Sequence, residues 1–197
     1  MSPKFDRRFV LAALGAAAVA RPAAALSTGE AESLVDALVR EINTVINSGK
    51  AEKSMYRDFE QIMARYADLQ IIARSALGPP ARSASASQMA SFTKAFSGYI
   101  SRKYGKRFRE FQGGRLEVKG AKPVKSFYEV RTMAFLQGQA PFDVTFLVSD
   151  KSGRDKFFNM FIEGVNMVAA ERTEIGAMLD RHKGDLNALI RDLKAAG

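Results

Sequence analysis

Hydrophobic spacing in this chain changes period at Gly113-Gly114, from 3.6 residues before the pair to 2 after it, and that switch restricts the fold more than any one motif. Upstream, Ser27 with Glu30 makes a capping box ahead of Leu34, Val35, Leu38, Val39, Ile42, Val45 and Ile46 at helical spacing as far as Gly49. A second helix carries Phe59, Ile62, Met63 and Tyr66; Asp68 caps a shorter one that stops at Gly78-Pro79-Pro80. Ser85 and Gln88 cap a long helix through Met89, Phe92, Phe96, Tyr99, Ile100 and Phe108. Downstream, Leu116/Val118, Tyr128/Val130/Thr132/Ala134 and Phe142/Val144/Phe146/Val148 alternate with charged or small residues, and Gly138 to Pro141 suits a hairpin turn. In Phe157 to Ile162 both alternate sets, Phe157/Phe161 and Phe158/Met160/Ile162, are large, which predicts a strand covered on both faces. A helix with Ile175, Met178 and Leu179 follows and ends at Gly184; Asp185 caps a last one with Leu186, Leu189, Ile190 and Leu193. Helices, then an antiparallel sheet of about four strands, then helices describe an α+β domain.

The first 25 of the 197 residues stand apart from that pattern. Lys4, Arg7 and Arg8 precede an apolar run from Phe9 to Ala20, too short to span a bilayer, and Ala23-Ala24-Ala25 offers a cleavage site, so residues 1–25 are expected to be a signal peptide. Arg7-Arg8 fits a twin-arginine leader and an ordinary Sec leader alike. Residues 26–197 suffice for one domain. The formal charge of +9 falls to +6 once a leader with Lys4, Arg7, Arg8, Arg21 and Asp6 is set aside. The absence of cysteine excludes disulfides, Cys-ligated zinc and a lipid-modified cysteine anchor.

The order Glu163-Gly164-Val165, then Arg172, then Gly184 with Leu189, Ile190 and Leu193 resembles the carboxy-terminal signature of the MlaC family, the soluble periplasmic phospholipid-binding proteins of the Mla lipid-transport pathway. Arg74, Ala76, Leu77 and Gly78, followed by Gln88, Phe92 and Phe96, resemble a second segment of that family. Asp155, Asn159 and Asn166 depart from the family's usual tryptophan, aspartate and serine. The resemblance implies a cystatin-like or NTF2-like sheet wrapped by helices and enclosing an apolar lipid pocket. It further implies a monomeric periplasmic carrier that needs no cofactor. That carrier would shuttle a phospholipid between an outer-membrane lipoprotein complex and an inner-membrane ABC transporter, touching membrane surfaces transiently.

Fourteen Phe and five Tyr with no Trp would fill an ordinary core or line a cavity, and the resemblance points to the cavity. Its lining by position would be Phe96, Ile100, Tyr104, Phe108, Val130, Met133, Phe135, Phe142, Val144, Phe146, Phe161 and Met167. Arg102, Lys103, Lys106, Arg107 and Arg109 form a basic run interleaved with Tyr104 and Phe108, read as a surface for anionic headgroups or acidic docking partners, or as a solvated helix end. In an exported chain nucleic acid is not the expected partner. The lone His182 lacks the convergent ligands of a metal site, and no Gly-x-Ser-x-Gly elbow is present for hydrolysis. An NTF2-like isomerase or dehydratase is the competing reading. It requires a carboxylate inside the pocket, whereas Glu129 and Asp143 alternate away from the apolar set. A ligand-free periplasmic binding module is the third.

Overall fold

The computed structural model describes residues 26–109 and 111–196, without the side chains of residues 107–109. The expected signal peptide, and the side chains of Arg107, Phe108 and Arg109, lie outside the described residues. Helices α1 (Thr28–Ile46), α2 (Glu52–Tyr66), α3 (Leu69–Leu77) and α4 (Ala86–Arg109) come first, with a 3₁₀ turn (Pro79–Arg82) between the last two. Strands β1 (Arg115–Val124), β2 (Phe127–Phe135), β3 (Phe142–Ser149), β4 (Lys156–Ile162) and β5 (Val165–Asn166) follow, then helices α5 (Met167–Arg181) and α6 (Leu186–Ala195). The domain is α+β, its sheet an antiparallel meander in the order β1-β2-β3-β4-β5. The sheet has one strand more than expected, because Val165 and Asn166 fold back on Ile162 and Phe161. No helix among the described residues is long and apolar enough to cross a membrane.

Caps set the helix starts. Ser27 and Glu30 bond each other's backbone amides, Asp68 accepts from Ile71, Asn166 from Ala169, and Asp185 from Asn187 and Ala188. Helix α5 ends at Arg181, three residues before the glycine expected to stop it. Lys183 donates to the Asp180 carbonyl at 2.9 Å and Gly184 to that of Leu179 at 3.1 Å, a Schellman closure. The left-handed position that glycine usually fills is held by Lys183, at φ 54°. Lys183→Gly should therefore raise the unfolding free energy by about 1 kcal/mol, read as a higher urea midpoint at unchanged slope.

The register assigns the two sheet faces. Val130 opposes Phe146, Thr132 opposes Val144, and Ala134 opposes both Phe142 and Leu116 on the face that meets the helices. Met133 opposes Asp143 and Glu117, and Arg131 opposes Thr145, on the other face. A bulge then reshuffles β4. Leu147 pairs with Asn159 but Val148 pairs with Phe157, so Phe158 is the extra residue. The strict alternation expected from sequence gives way here: Phe157 shares the inner face with Met160 and Ile162, Phe161 opposes Thr145 outside, and the Phe158 ring meets Phe127 edge-on at 5.7 Å.

Helix α1 lies across β1, β2 and β3, while α3 and α5 reach β4; α2 and α4 pack beside them. Two amides of α1 also finish the open edge of β1. Asn43 donates to the Leu116 carbonyl and accepts from its N–H, and Asn47 does the same with Gly114 O and Gly113 N. Side chains one helical turn apart thus stand in for a neighbouring strand and block pairing with another chain. At the opposite side the α2–α3 junction is bridged to β4, the Asp68 N–H donating to the Phe157 carbonyl at 2.8 Å.

Candidate functional site

The space between the inner sheet face and the helices is where the expected lining residues converge in part. Phe96, Val130, Val144 and Phe146 are buried together, with Phe142 and Ile100 half-buried against the same core. Phe96 stacks on Phe92 at 5.7 Å, and Phe146 meets Phe157 edge-on at 5.4 Å. Met133, Phe135 and Phe161 lie on the opposite sheet face, and Met167 is half-buried at the start of α5. Phe135 lies beneath Arg115, whose guanidinium is 4.3 Å from the ring centre, and also faces the Lys119 ammonium.

Two members of the basic run on α4, Arg102 and Lys103, are drawn into internal bonds. Arg102 donates to the Leu193 and Ala196 carbonyls at 2.6 and 2.8 Å, where it neutralises the last turn of α6. Lys103 reaches α5, bonding Glu171 at 2.8 Å and also Glu174. The Tyr104 hydroxyl donates to the same Glu171 oxygen at 2.5 Å, and that of Tyr99 to Glu174. Glu171 is only 5% exposed at its side chain, and its second oxygen has no partner. Lys106 is exposed beside this cluster, in a shallow hollow of about 490 Å³ that Tyr99, Lys103, Glu174 and Arg181 also line.

Burial by itself would lower the Lys103 ammonium, but its bonds to the two glutamates outweigh that and hold it above the ordinary lysine range. Burial, helped by Glu174, pushes the Tyr99 hydroxyl up to about 12. Burial also acts to raise Glu174, and the bonds from Lys103 and Tyr99 overcome it and hold the carboxyl below its usual value. A depressed carboxylate stabilises the fold above its unfolded value of about 4.3 and loses that contribution as pH falls through the folded one. Because Glu174 is 47% exposed, solvent screening keeps its effect to about 0.5 kcal/mol. Glu174→Gln should lower Tm by about 1–2 °C at pH 7, a difference that closes as pH is taken to 3.

A larger hollow lies elsewhere. A cleft of about 730 Å³ runs between α2, α3 and α4, within the range of small-ligand sites. Helix α4 lines it with Ala86, Met89, Ala90, Thr93, Lys94 and Ser97, a single stripe at helical spacing. Helix α3 contributes Leu69, Gln70, Ile71 and Arg74, and α2 contributes Glu60 and Ala64. None of the twelve residues expected to line a pocket borders it. Of its own lining, Arg74 belongs to a segment with family resemblance, and Ile71 and Met89 to the apolar positions expected on their helices. The legible signal was the second, half-polar stripe of α4, offset from Phe92, Phe96 and Tyr99.

Glu171 escaped notice as well, although Glu171 and Glu174 share one face of α5. His182 bonds Asp192 at 2.5 Å, and no cluster of metal-ligating side chains occurs among the described residues.

The two sequence segments with family resemblance meet in space. Gly78, at φ 72° and ψ −140°, holds a backbone shape reserved for glycine, and a Cβ there would fall 2.9 Å from the Arg172 Nε. A meander sheet sheathed by helices on one face, with an apolar layer between, defines this protein as an α+β domain of one sheet and one helical layer. The family model described as "MlaC protein" matches residues 32–195, and the chain belongs to that family. A structurally similar solved protein is a phospholipid-binding protein from Ralstonia solanacearum, determined in complex with a phospholipid. It is 16% identical, with a TM-score of 0.71 over 84% of this chain and 95% of that one. No curated protein matches the sequence.

Proposed function

We propose that this protein is a periplasmic phospholipid carrier, exported by its amino-terminal leader, that binds acyl chains between the inner sheet face and the helices. Membership of the MlaC family across nearly the whole mature length carries the reading. The phospholipid found in the Ralstonia solanacearum protein of the same fold supports it. Within the family's pathway, the partners are an outer-membrane lipoprotein complex and an inner-membrane ABC transporter, met one at a time.

The physical need for a carrier is large. A diacyl lipid holds roughly thirty CH₂ groups, each worth about 0.8 kcal/mol on leaving an apolar phase, so unassisted transit through water costs on the order of 20 kcal/mol. Phe96, Val130, Val144 and Phe146 offer that apolar contact, but they close on one another. Uptake therefore requires the helices to part from the sheet, as lids do in other binding proteins. Catalysis is no part of the proposal. Glu129 bonds Lys122 and Asp143 bonds Arg131 on the outer face, away from the apolar layer.

Lipid analysis of the mature protein, purified from a periplasmic extract without detergent, tests the reading. One phospholipid per chain is the expected result. An empty protein that also takes no lipid from vesicles would overturn it.

A further inference from the structure

Leu26, the residue that follows the Ala23-Ala24-Ala25 cleavage signal, is held at three points. Its N–H donates to Asp150 Oδ2 at 3.2 Å, its carbonyl accepts from the Tyr128 hydroxyl at 2.5 Å, and its side chain, 5% exposed, belongs to the core. The ends of most domains are loose unless something ties them down. Here the tie falls on the first residue after the expected cut.

The surroundings of the Leu26 nitrogen are acidic. Asp150 follows β3 and opens a turn closed by the Gly153 N–H on its carbonyl at 2.8 Å, and Asp155 comes just before β4. Glu30 lies in the first turn of α1, and its carboxylate accepts from the Ser27 N–H at 2.8 Å, one peptide unit from Leu26. Burial, then the charges of Glu30 and Asp150, raise the Asp155 carboxyl above its usual value, so the three acids feel one another. None of them bonds a cation among the described residues. Of the cations on the same turn, Lys151 bonds the Ser126 hydroxyl, and Arg154 is exposed. An amide nitrogen brings one hydrogen and no charge to this corner, whereas a free amino terminus brings a positive charge and three hydrogens.

We propose that Leu26 is the mature amino terminus and that its ammonium is seated on Asp150, with Glu30 and Asp155 around it, so that removal of the leader locks the start of α1 to the β3–β4 turn. The proposal rests on the leader reading and is independent of the lipid. The cut is a hydrolysis in which the Ala25–Leu26 peptide bond breaks. Water gives its oxygen to the Ala25 carbonyl carbon and both its protons to the departing nitrogen, leaving a carboxylate on the leader and an ammonium on Leu26. The catalyst is an endopeptidase that reads small residues at the first and third positions before the cut. In the uncut chain three carboxylates surround a neutral amide; the cut adds one positive charge among them. The domain therefore reaches its full stability only after processing.

Mass analysis of the protein recovered from the periplasm should give a chain that begins at Leu26. A different first residue overturns the processing site. On that mature chain the Leu26 α-amine, followed by the carbon shift of its Cα against pH, should titrate about half a unit or more above the usual range of about 7.7–8.0. Asp150→Asn should return it to that range. A raised amine stabilises the fold in full below its unfolded value and loses that contribution as pH rises through the folded one. Selective Nα-acetylation restores the amide of the uncut chain. Because the acids are partly exposed, it should lower Tm by about 2 °C near pH 6.5, and by much less near pH 10 or in Asp150→Asn. An α-amine that titrates as a free terminus does, or an acetylation effect equal at both pH values and in both chains, overturns the seat. A protein that keeps its leader removes the leader reading and the processing site together, while a chain prepared to begin at Leu26 still decides the seat by the same titration.

Discussion

Replacing Lys103 by methionine is expected to cost about 3 kcal/mol of folding stability. Among the described residues the ammonium is the only cation bonded to the Glu171 carboxyl, which is 5% exposed at its side chain and already has one oxygen without a partner. Taking Lys103 away leaves that buried charge with the Tyr104 hydroxyl alone, and an uncompensated buried charge typically costs 3–5 kcal/mol. Lys103 is itself 29% exposed, which places the effect at the lower end. The double variant Lys103→Met/Glu171→Gln should recover most of the loss, since neutralising the second partner removes the stranded charge. Urea denaturation of the two variants checks the pair. A single-variant loss below about 1 kcal/mol would mean that the Glu171 carboxylate finds water once the lysine is gone. This one lysine ties α4, the helix that carries Phe92 and Phe96, to the helix that follows the sheet.

Phe146→Ala should cost about 3–5 kcal/mol, whereas Phe161→Ala should cost about 1 kcal/mol or less. Both are phenylalanines one strand apart, and sequence places them in the same expected lining. Phe146 is 3% exposed, packed edge-on against Phe157 inside the helix-covered face, so its removal opens a cavity that the surrounding side chains refill only in part. Phe161 is half-buried opposite Thr145 on the other face, where truncation leaves space open to water. Chemical denaturation measures both, and equal losses would contradict the assignment of faces. Under the carrier reading the lipid content should follow the same split: reduced in Phe146→Ala, unchanged in Phe161→Ala.

The contrast between those two residues shows what the amino-acid order carries and what it does not. Local signals are legible: the change of period at Gly113-Gly114, the capping box at Ser27 and Glu30, the caps at Asp68 and Asp185, and the four long strands all depend on residues within a turn or two of one another. The choice of sheet face is not local. Strand β2 offers Val130, Thr132 and Ala134 on one side and Met133 and Phe135 on the other, and size alone favours the second pair as a lining. The structure buries the smaller set, which lets α1 approach the sheet, and leaves Phe135 under Arg115 and Lys119. In β4 a single inserted residue reverses the phase, so Phe157 and Phe161, four apart and expected together, face opposite ways. The basic run has the same history. The partners of Arg102 and Lys103 lie 68 to 94 residues away, beyond any spacing argument.

The link between α3 and α4 limits how those two helices can move against each other. Leu77 is followed by Gly78, two prolines with fixed φ, and a 3₁₀ turn closed by bonds from Ala81 to Gly78 at 3.0 Å and from Ser83 to Pro80 at 3.2 Å. A hinge needs residues free to rotate, and this elbow has few. Helices α3 and α4 are accordingly coupled, and a parting of the helical layer from the sheet would carry the two together.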